Sequence, residues 1–227
     1  LTKLQKKLKS SELLLFFKEF LGFNEIIVER KEVETVEKKL EELKSEVYSC
    51  RKCQLHLKKT NYVFGSGNPY SKVMFVGEAP GADEDREGLP FVGRAGKLLT
   101  QLLNEIGFDR ERDVYIANVL KCRPPGNRDP RPEEIKACSP YLVRQIKIIQ
   151  PKILVALGRF AAYFLSGRDR VPLSRLRGKI IDSVFGPKLL VTFHPAAILR
   201  NPGRMHEIKS DFLMLKKFLE ENRDEKG

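Results

Sequence analysis

Residues 73–91 read VMFVGEAPGADEDREGLPF. The run Val73-Met74-Phe75-Val76 has the length and apolar composition of a strand buried on both faces. Gly77 then breaks it into a loop of Gly, Pro and acids that closes on a lone aromatic, Phe91. Open α/β sheets present ligands beyond the carboxyl ends of their strands, so this loop is a candidate site as well as a connection. The pattern returns downstream. Strands are predicted at 73–77, 114–118, 153–157 and 189–193, with a weaker one at 179–182, and helices at 95–106, 132–149, 159–165 and 205–221. Each main strand runs into a loop and then into helical periodicity. The expected class is therefore α/β: a short, mostly parallel four-stranded sheet flanked by helices. Pro132 followed by Glu133-Glu134 is a good helix start, with proline in the first turn and acids at the positive end.

Upstream of Cys50 the pattern is different. Residues 1–22 carry Leu4, Leu8, Leu13, Leu14, Phe17 and Leu21 near helical spacing, and 24–47 carry Val33, Val36, Leu40, Leu43 and Val47 among dense Glu and Lys. We read 1–48 as a helical N-terminal appendage and 49–227 as the α/β domain. The appendage is a candidate surface for a protein partner or a second copy, or a cover for a core edge; the protein is expected to be a monomer.

The chain has 227 residues, 41% hydrophobic and 32% charged, which is a soluble globular composition. No run approaches the ~18 apolar residues of a membrane helix, and no secretory leader is visible, so the expected location is the cytoplasm and no membrane partner is expected. In that compartment paired cysteines point to metal before disulfide. The net charge of +12 is unevenly placed. Residues 1–49 hold ten basic and ten acidic side chains, whereas 50–227 hold 32 basic and 20 acidic. A basic globular domain suits a polyanion, because each phosphate contact releases counterions.

Four cysteines stand at 50, 53, 122 and 138. Cys50 and Cys53 form a C-x-x-C pair, while Cys122 follows a predicted strand and Cys138 lies inside a predicted helix. Four thiolates can hold zinc or a 4Fe–4S cluster, and the spacing alone does not choose between them. Arg51, Lys52, Lys58, Lys59, Lys121, Arg123 and Arg128 surround these positions and would offset the negative charge of such a centre.

Three strand-end loops should converge. The first carries Glu78, Ala79 and Pro80, then Asp83, Glu84, Asp85 and Phe91. The second begins at Asn118 and runs through Lys121, Arg123, Asn127 and Arg128. The third runs from His194 through Ile198, Leu199 and Arg200. An aromatic face can stack a base, an Asn offers a donor and an acceptor to the edge of a pyrimidine, and a His can donate to an oxygen on which charge develops.

GEAPG at 77–81, GLPFVG at 88–93, Asn118 with KCRPP at 121–125, Asn127-Arg128, and HPAAILRNP at 194–202 together resemble the family 4 uracil-DNA glycosylases. The resemblance covers about residues 47–221. It implies the fold of the wider uracil-glycosylase superfamily and a 4Fe–4S cluster on Cys50, Cys53, Cys122 and Cys138, with zinc the alternative and no nucleotide cofactor. It also implies excision of uracil from DNA in base excision repair, in a prokaryotic cytosol. Position by position, Phe91 would stack on the extruded base, Asn118 would pair with N3–H and O4, His194 would face O2, and backbone at Glu78, Ala79 and Pro80 would line the water side. Glu84 would occupy the space near C5 and exclude thymine. Arg123, Asn127, Arg128 and Arg200 would contact DNA, and Ile198-Leu199 would supply a wedge. The best-known branch of the superfamily bears an Asp where this chain has Ala79, which leaves Glu78 as the candidate for activating water. A related branch bonds covalently to DNA through a histidine inserted after the first motif; no histidine lies between His56 and His194 here. The reading from another class is a silent DNA-binding module held by zinc, against which Phe91, Asn118 and His194 stand together.

Overall fold

The computed structural model describes residues 35–169 and 171–222. The helix expected over 1–22 lies outside the described residues. The described chain runs α1 (Val36–Tyr48), β1 (Ser66–Gly67), β2 (Val73–Gly77), α2 (Ala82–Glu87), α3 (Arg94–Glu105), β3 (Val114–Asn118), α4 (Pro132–Ile149), β4 (Ile153–Leu157), α5 (Arg159–Ser166), α6 (Leu173–Leu176), β5 (Ile180–Asp182), β6 (Lys188–Thr192), α7 (Pro195–Arg200) and α8 (Met205–Glu221). Single 3₁₀ turns occur at 54–57, 125–127 and 202–204.

The strands form one mixed sheet in the order β1-β3-β2-β4-β6-β5. The central four are parallel, as expected, and β1 and β5 add an antiparallel edge on either side. The sheet is thus six-stranded rather than four-stranded. The β5 edge is the weaker strand expected at 179–182, whereas β1 is two residues long, too short to show a period.

Every residue of β2, β3 and β4 is buried. Alternation along each strand sends side chains to two cores. Met74, Val76, Ala117, Leu154 and Val191 join one with Leu142 and Ile146 of α4. Val73, Phe75, Ile116, Val155 and Leu190 join the other with Leu99 and Leu103 of α3 and Phe212 of α8. The continuous apolar runs follow from this two-sided burial, because neither face meets water.

The expected boundary after residue 48 shifts. The compact unit begins at Thr35, and α1 belongs to it. Leu40, Leu43 and Val47 lie on one face of α1 and are buried in the same core as Leu142 and Ile146. Arg144 of α4 also holds Glu46 through two bonds of 2.5 and 2.6 Å. An exposed pair of this kind contributes little, so the apolar face carries the attachment.

The chain steps from β2 outward to β3, then returns across β2 to β4 and on to β6. The crevice at such a reversal opens at the carboxyl ends of the strands. Replacing Leu43, which is fully buried, with Ala should lower unfolding stability by about 2–5 kcal/mol in urea titration. An unchanged midpoint would show that α1 does not share the core.

Candidate active site

The parallel register sets Gly77 directly opposite Asn118 at the ends of β2 and β3. Hydrogen bonding continues past the strands: Val119 N–H donates to Gly77 O and Leu120 N–H to Glu78 O, both at 3.0 Å. The first two loops therefore leave the sheet locked together. A cavity of about 600 Å³ opens there. Phe91, Asn118 and His194 all line it, as do Glu78, Ala79, Pro80 and Glu84.

Gly77 decides how closely these groups approach. A Cβ at this position would stand 2.3 Å from Asn118 Oδ1 and 2.7 Å from Phe91 Cζ. Carboxamide and ring both converge on the space that the absent side chain leaves. Asn118 is 1% exposed, and its Oδ1 is buried with no hydrogen-bond partner among the described residues. An orphan buried acceptor costs about 1–3 kcal/mol, so it is a place where a ligand N–H is favoured. Below it, the buried Lys121 donates from Nζ to Asn118 O at 2.8 Å and to Gln145 Oε1 at 2.6 Å. Lys121 thus faces the interior, away from any phosphate. Burial lowers its pKa to about 8.

Phe91 is 5% exposed and has φ of +53°, an uncommon conformation for an aromatic residue that costs of order 1–3 kcal/mol. Its ring lies beside that of His194, with centroids 5.4 Å apart and planes inclined by 28°. The loop before it is more ordered than its composition suggested. Residues 82–87 form α2, and the Glu84 carboxylate accepts from Gly81 N at 3.1 Å, Val92 N at 3.0 Å and Gly93 N at 2.9 Å. Both oxygens of Glu84 are occupied in shaping the loop while the side chain borders the cavity.

The third segment is also helical where a loop was expected. His194 caps α7 and Pro195 occupies its first position, where a missing N–H costs nothing. Ala196 N–H donates to His194 Nδ1 at 3.1 Å. A nitrogen that accepts carries no proton, so the neutral ring holds its hydrogen on Nε2. Burial, and then the Arg200 charge, lower the imidazole pKa to about 4. His194 is therefore a neutral N–H donor at physiological pH. Glu78 shifts the other way, to about 7, raised by burial and then by Asp129 and opposed by Arg159. Arg159 and Asp129 pair at the cavity wall.

Other expected contacts divide. Arg200, Asn127 and Arg128 border the cavity. Arg128 is held bidentately by Glu134 at 2.5 and 2.9 Å, and Arg123 Nε donates to Asn127 Oδ1 at 2.7 Å. Ile198 is corrected: it is 1% exposed in the α3/α8 core and is unavailable as a wedge, because its position on α7 points inward. Leu199 is 38% exposed. Gly158 and Arg159 were missed, although the strand-end rule applied to β4 would have found them. Gly158 has φ of +88°, and a Cβ there would come within 3.0 Å of His194 Cβ.

Cys50, Cys53, Cys122 and Cys138 line a second, small cavity together with Lys52, Lys121 and Tyr141. Lys121 N–H donates to Cys138 Sγ at 3.2 Å. Burial pushes the Cys138 thiol up to about 11 and raises Cys53 and Cys122 as well.

A family model described as the uracil DNA glycosylase superfamily matches residues 64–221. The chain belongs to the uracil DNA glycosylase superfamily. The type-4 uracil-DNA glycosylase of Archaeoglobus fulgidus is 54% identical over 179 residues, covering 76% of this chain and 89% of that protein. Those of Sulfurisphaera tokodaii and Thermotoga maritima are 51% and 50% identical, covering 76% and 77% of this chain and 81% and 90% of theirs. The glycosylase fold thus has the three expected residues on one cavity, with Ala79 rather than a carboxylate beside Glu78.

The geometry gives a checkable pH behaviour. An unfolded histidine binds a proton near pH 6.5, whereas folded His194 does so at about 4. Its contribution to stability is complete above about 6.5 and is lost as pH falls toward 4. Nitrogen-15 NMR should find His194 as the neutral Nε2–H tautomer from pH 8 down to 5. A resonance titrating near 6.5 would overturn this assignment.

Proposed function

We propose that this glycosylase flips uracil out of DNA and hydrolyses its N-glycosidic bond, leaving an abasic site. The observation that carries the reading is the buried Asn118 Oδ1 with no partner among the described residues, in a cavity shared with Phe91 and His194. Uracil offers N3–H to that oxygen and O4 to the amide N–H. Cytosine presents an acceptor and a donor at the same places, so its edge is mismatched. The Phe91 ring supplies the stacking face. Glu84 lines the cavity border, fixed by three backbone N–H groups, and in this reading it would crowd a methyl at C5 and so disfavour thymine.

In the reaction the C1′–N1 bond breaks and its electron pair passes into the uracil ring, with charge accumulating at O2. The His194 Nε2–H donates to that oxygen. A neutral donor held in place before the charge develops stabilises the anion by several kcal/mol without itself titrating. Water bonds to C1′ on the opposite side. Glu78, whose carboxyl titrates near neutrality, takes the proton that this water loses. The basic surface around Arg123 and Arg200 meets phosphates, and Leu199 is the apolar side chain left to fill the vacated stack. The reading places this work on DNA in a prokaryotic cytosol.

The four cysteines fit a 4Fe–4S cluster. All four cysteines line one cavity with Lys52 and Lys121, and that tetrathiolate donor set between basic side chains suits a negatively charged iron–sulfur centre. Lys121 N–H, which donates to Cys138 Sγ, would support that sulfur as a ligand. A bound cluster held by Cys50, Cys53, Cys122 and Cys138 would supply a cross-link joining the 50–53 segment, the loop after β3 and α4.

Single-turnover excision from a uracil oligonucleotide should fall at least ~10²-fold in His194→Ala and in Asn118→Ala, with DNA binding retained. Wild-type rates in either variant refute the roles given. The wild-type rate should rise with pH through about 7, where Glu78 ionises, and Glu78→Gln should remove that limb; a limb that persists assigns the base elsewhere. Purified protein should be brown, absorbing near ~400 nm, and Cys122→Ser should lose the colour along with folding yield. Colourless wild-type protein containing zinc would sink the cluster assignment.

A further inference from the structure

Arg110 stands in the turn between α3 and β3 with its side chain only 14% exposed. Buried cations are normally paired with carboxylates. Arg128 has Glu134, and Arg177 has Asp211 and Glu207. Among the described residues Arg110 has a single carboxylate partner, Glu111 on its exposed side, 3.6 Å from Nε. Its inward donors go to the main chain of another segment. Nη1 donates to Phe91 O at 2.5 Å and to Thr100 Oγ1 at 3.3 Å, and Nη2 donates to Pro90 O. The two carbonyls bracket the residue whose φ is +53°.

The same backbone is held from two other directions. Glu84 takes the next two N–H groups, those of Val92 and Gly93. Gly96, in the first turn of α3, backs so closely onto Phe91 that a Cβ there would lie 1.8 Å from Phe91 O. A phenylalanine released from these contacts would return to an ordinary φ, and rotation there redirects its ring. A planar guanidinium is suited to the task because its fork reaches two carbonyls at once, which an ammonium on one stem does not reproduce.

We propose that Arg110 is a positioning residue for catalysis: it holds the peptides on either side of Phe91 so that the ring is set as the base platform before DNA binds. The proposal rests on the uracil reading of the cavity. It assigns Arg110 no contact with substrate; its effect passes through Phe91 alone.

That dependence sets the test. Single-turnover excision from a uracil oligonucleotide would be measured for wild type, Arg110→Gln, Phe91→Leu and the double variant, with melting temperatures alongside. Misplacement of the platform should slow Arg110→Gln by about 10²-fold. In the Phe91→Leu background the same change should cost less than about threefold, because the platform is already lost. A purely structural role would slow both backgrounds alike, so additive losses overturn the proposal, as does a wild-type rate in Arg110→Gln. If Arg110→Gln folds poorly, Arg110→Lys keeps the charge but not the fork. It should excise slowly and resist inhibition by free uracil; wild-type rate with wild-type uracil inhibition overturns the proposal. Wild-type protein that leaves uracil in place sinks the uracil reading instead.

Discussion

The absence of a side chain at residue 77 is the constraint on which the site depends. The parallel register places Gly77 opposite Asn118, and a Cβ would intrude between the Asn118 carboxamide and the Phe91 ring. Removing that one carbon lets a hydrogen-bonding edge and a stacking face meet at a strand end. The sheet supplies rigidity, with β2, β3 and β4 buried throughout and loops leaving from the same edge. The site therefore draws its precision from sheet register, and its loops serve mainly to bring Phe91 and His194 to a position the strands have already defined.

Two titratable groups in this cavity are driven apart by a common cause. Burial disfavours charge on both, so it lowers the imidazole of His194 and raises the carboxyl of Glu78. The imidazole is neutral at physiological pH and the carboxyl titrates near neutrality. Their neighbours adjust the result: Arg200 adds to the effect on His194, while Asp129 and Arg159 act on Glu78 in opposite senses. The Nδ1 contact with Ala196 N–H then selects the tautomer, which makes a six-residue helix part of the chemical design.

The cysteine cavity and the base cavity are joined by short covalent and hydrogen-bonded paths. Asn118 ends β3 and Cys122 lies four residues on, in the loop that follows. Lys121 lies between them, its Nζ on Asn118 O and its N–H on Cys138 Sγ. Cross-linking the thiols would steady this loop from behind, and the buried ammonium carries that order to Asn118. The interior location of Lys121 takes one lysine of the basic segment out of the protein surface.

The sequence by itself determined the α/β class, the four parallel strands and the main helices, because two-sided burial writes continuous apolar runs and helix packing writes a 3–4 spacing. It also marked Phe91, Asn118, His194 and the four cysteines, whose types and order are unusual enough to stand out. Tertiary structure alone decided the rest. Whether α1 is an appendage depends on what covers Leu43, and an amphipathic helix looks the same with either partner. Ile198 and Leu199 are equally apolar in sequence, yet a turn of α7 buries one and exposes the other. The brace at Arg110, the cradle at Gly77 and the protonation of His194 arise from contacts between segments far apart in the chain, and local pattern carries no record of which distant atoms will meet.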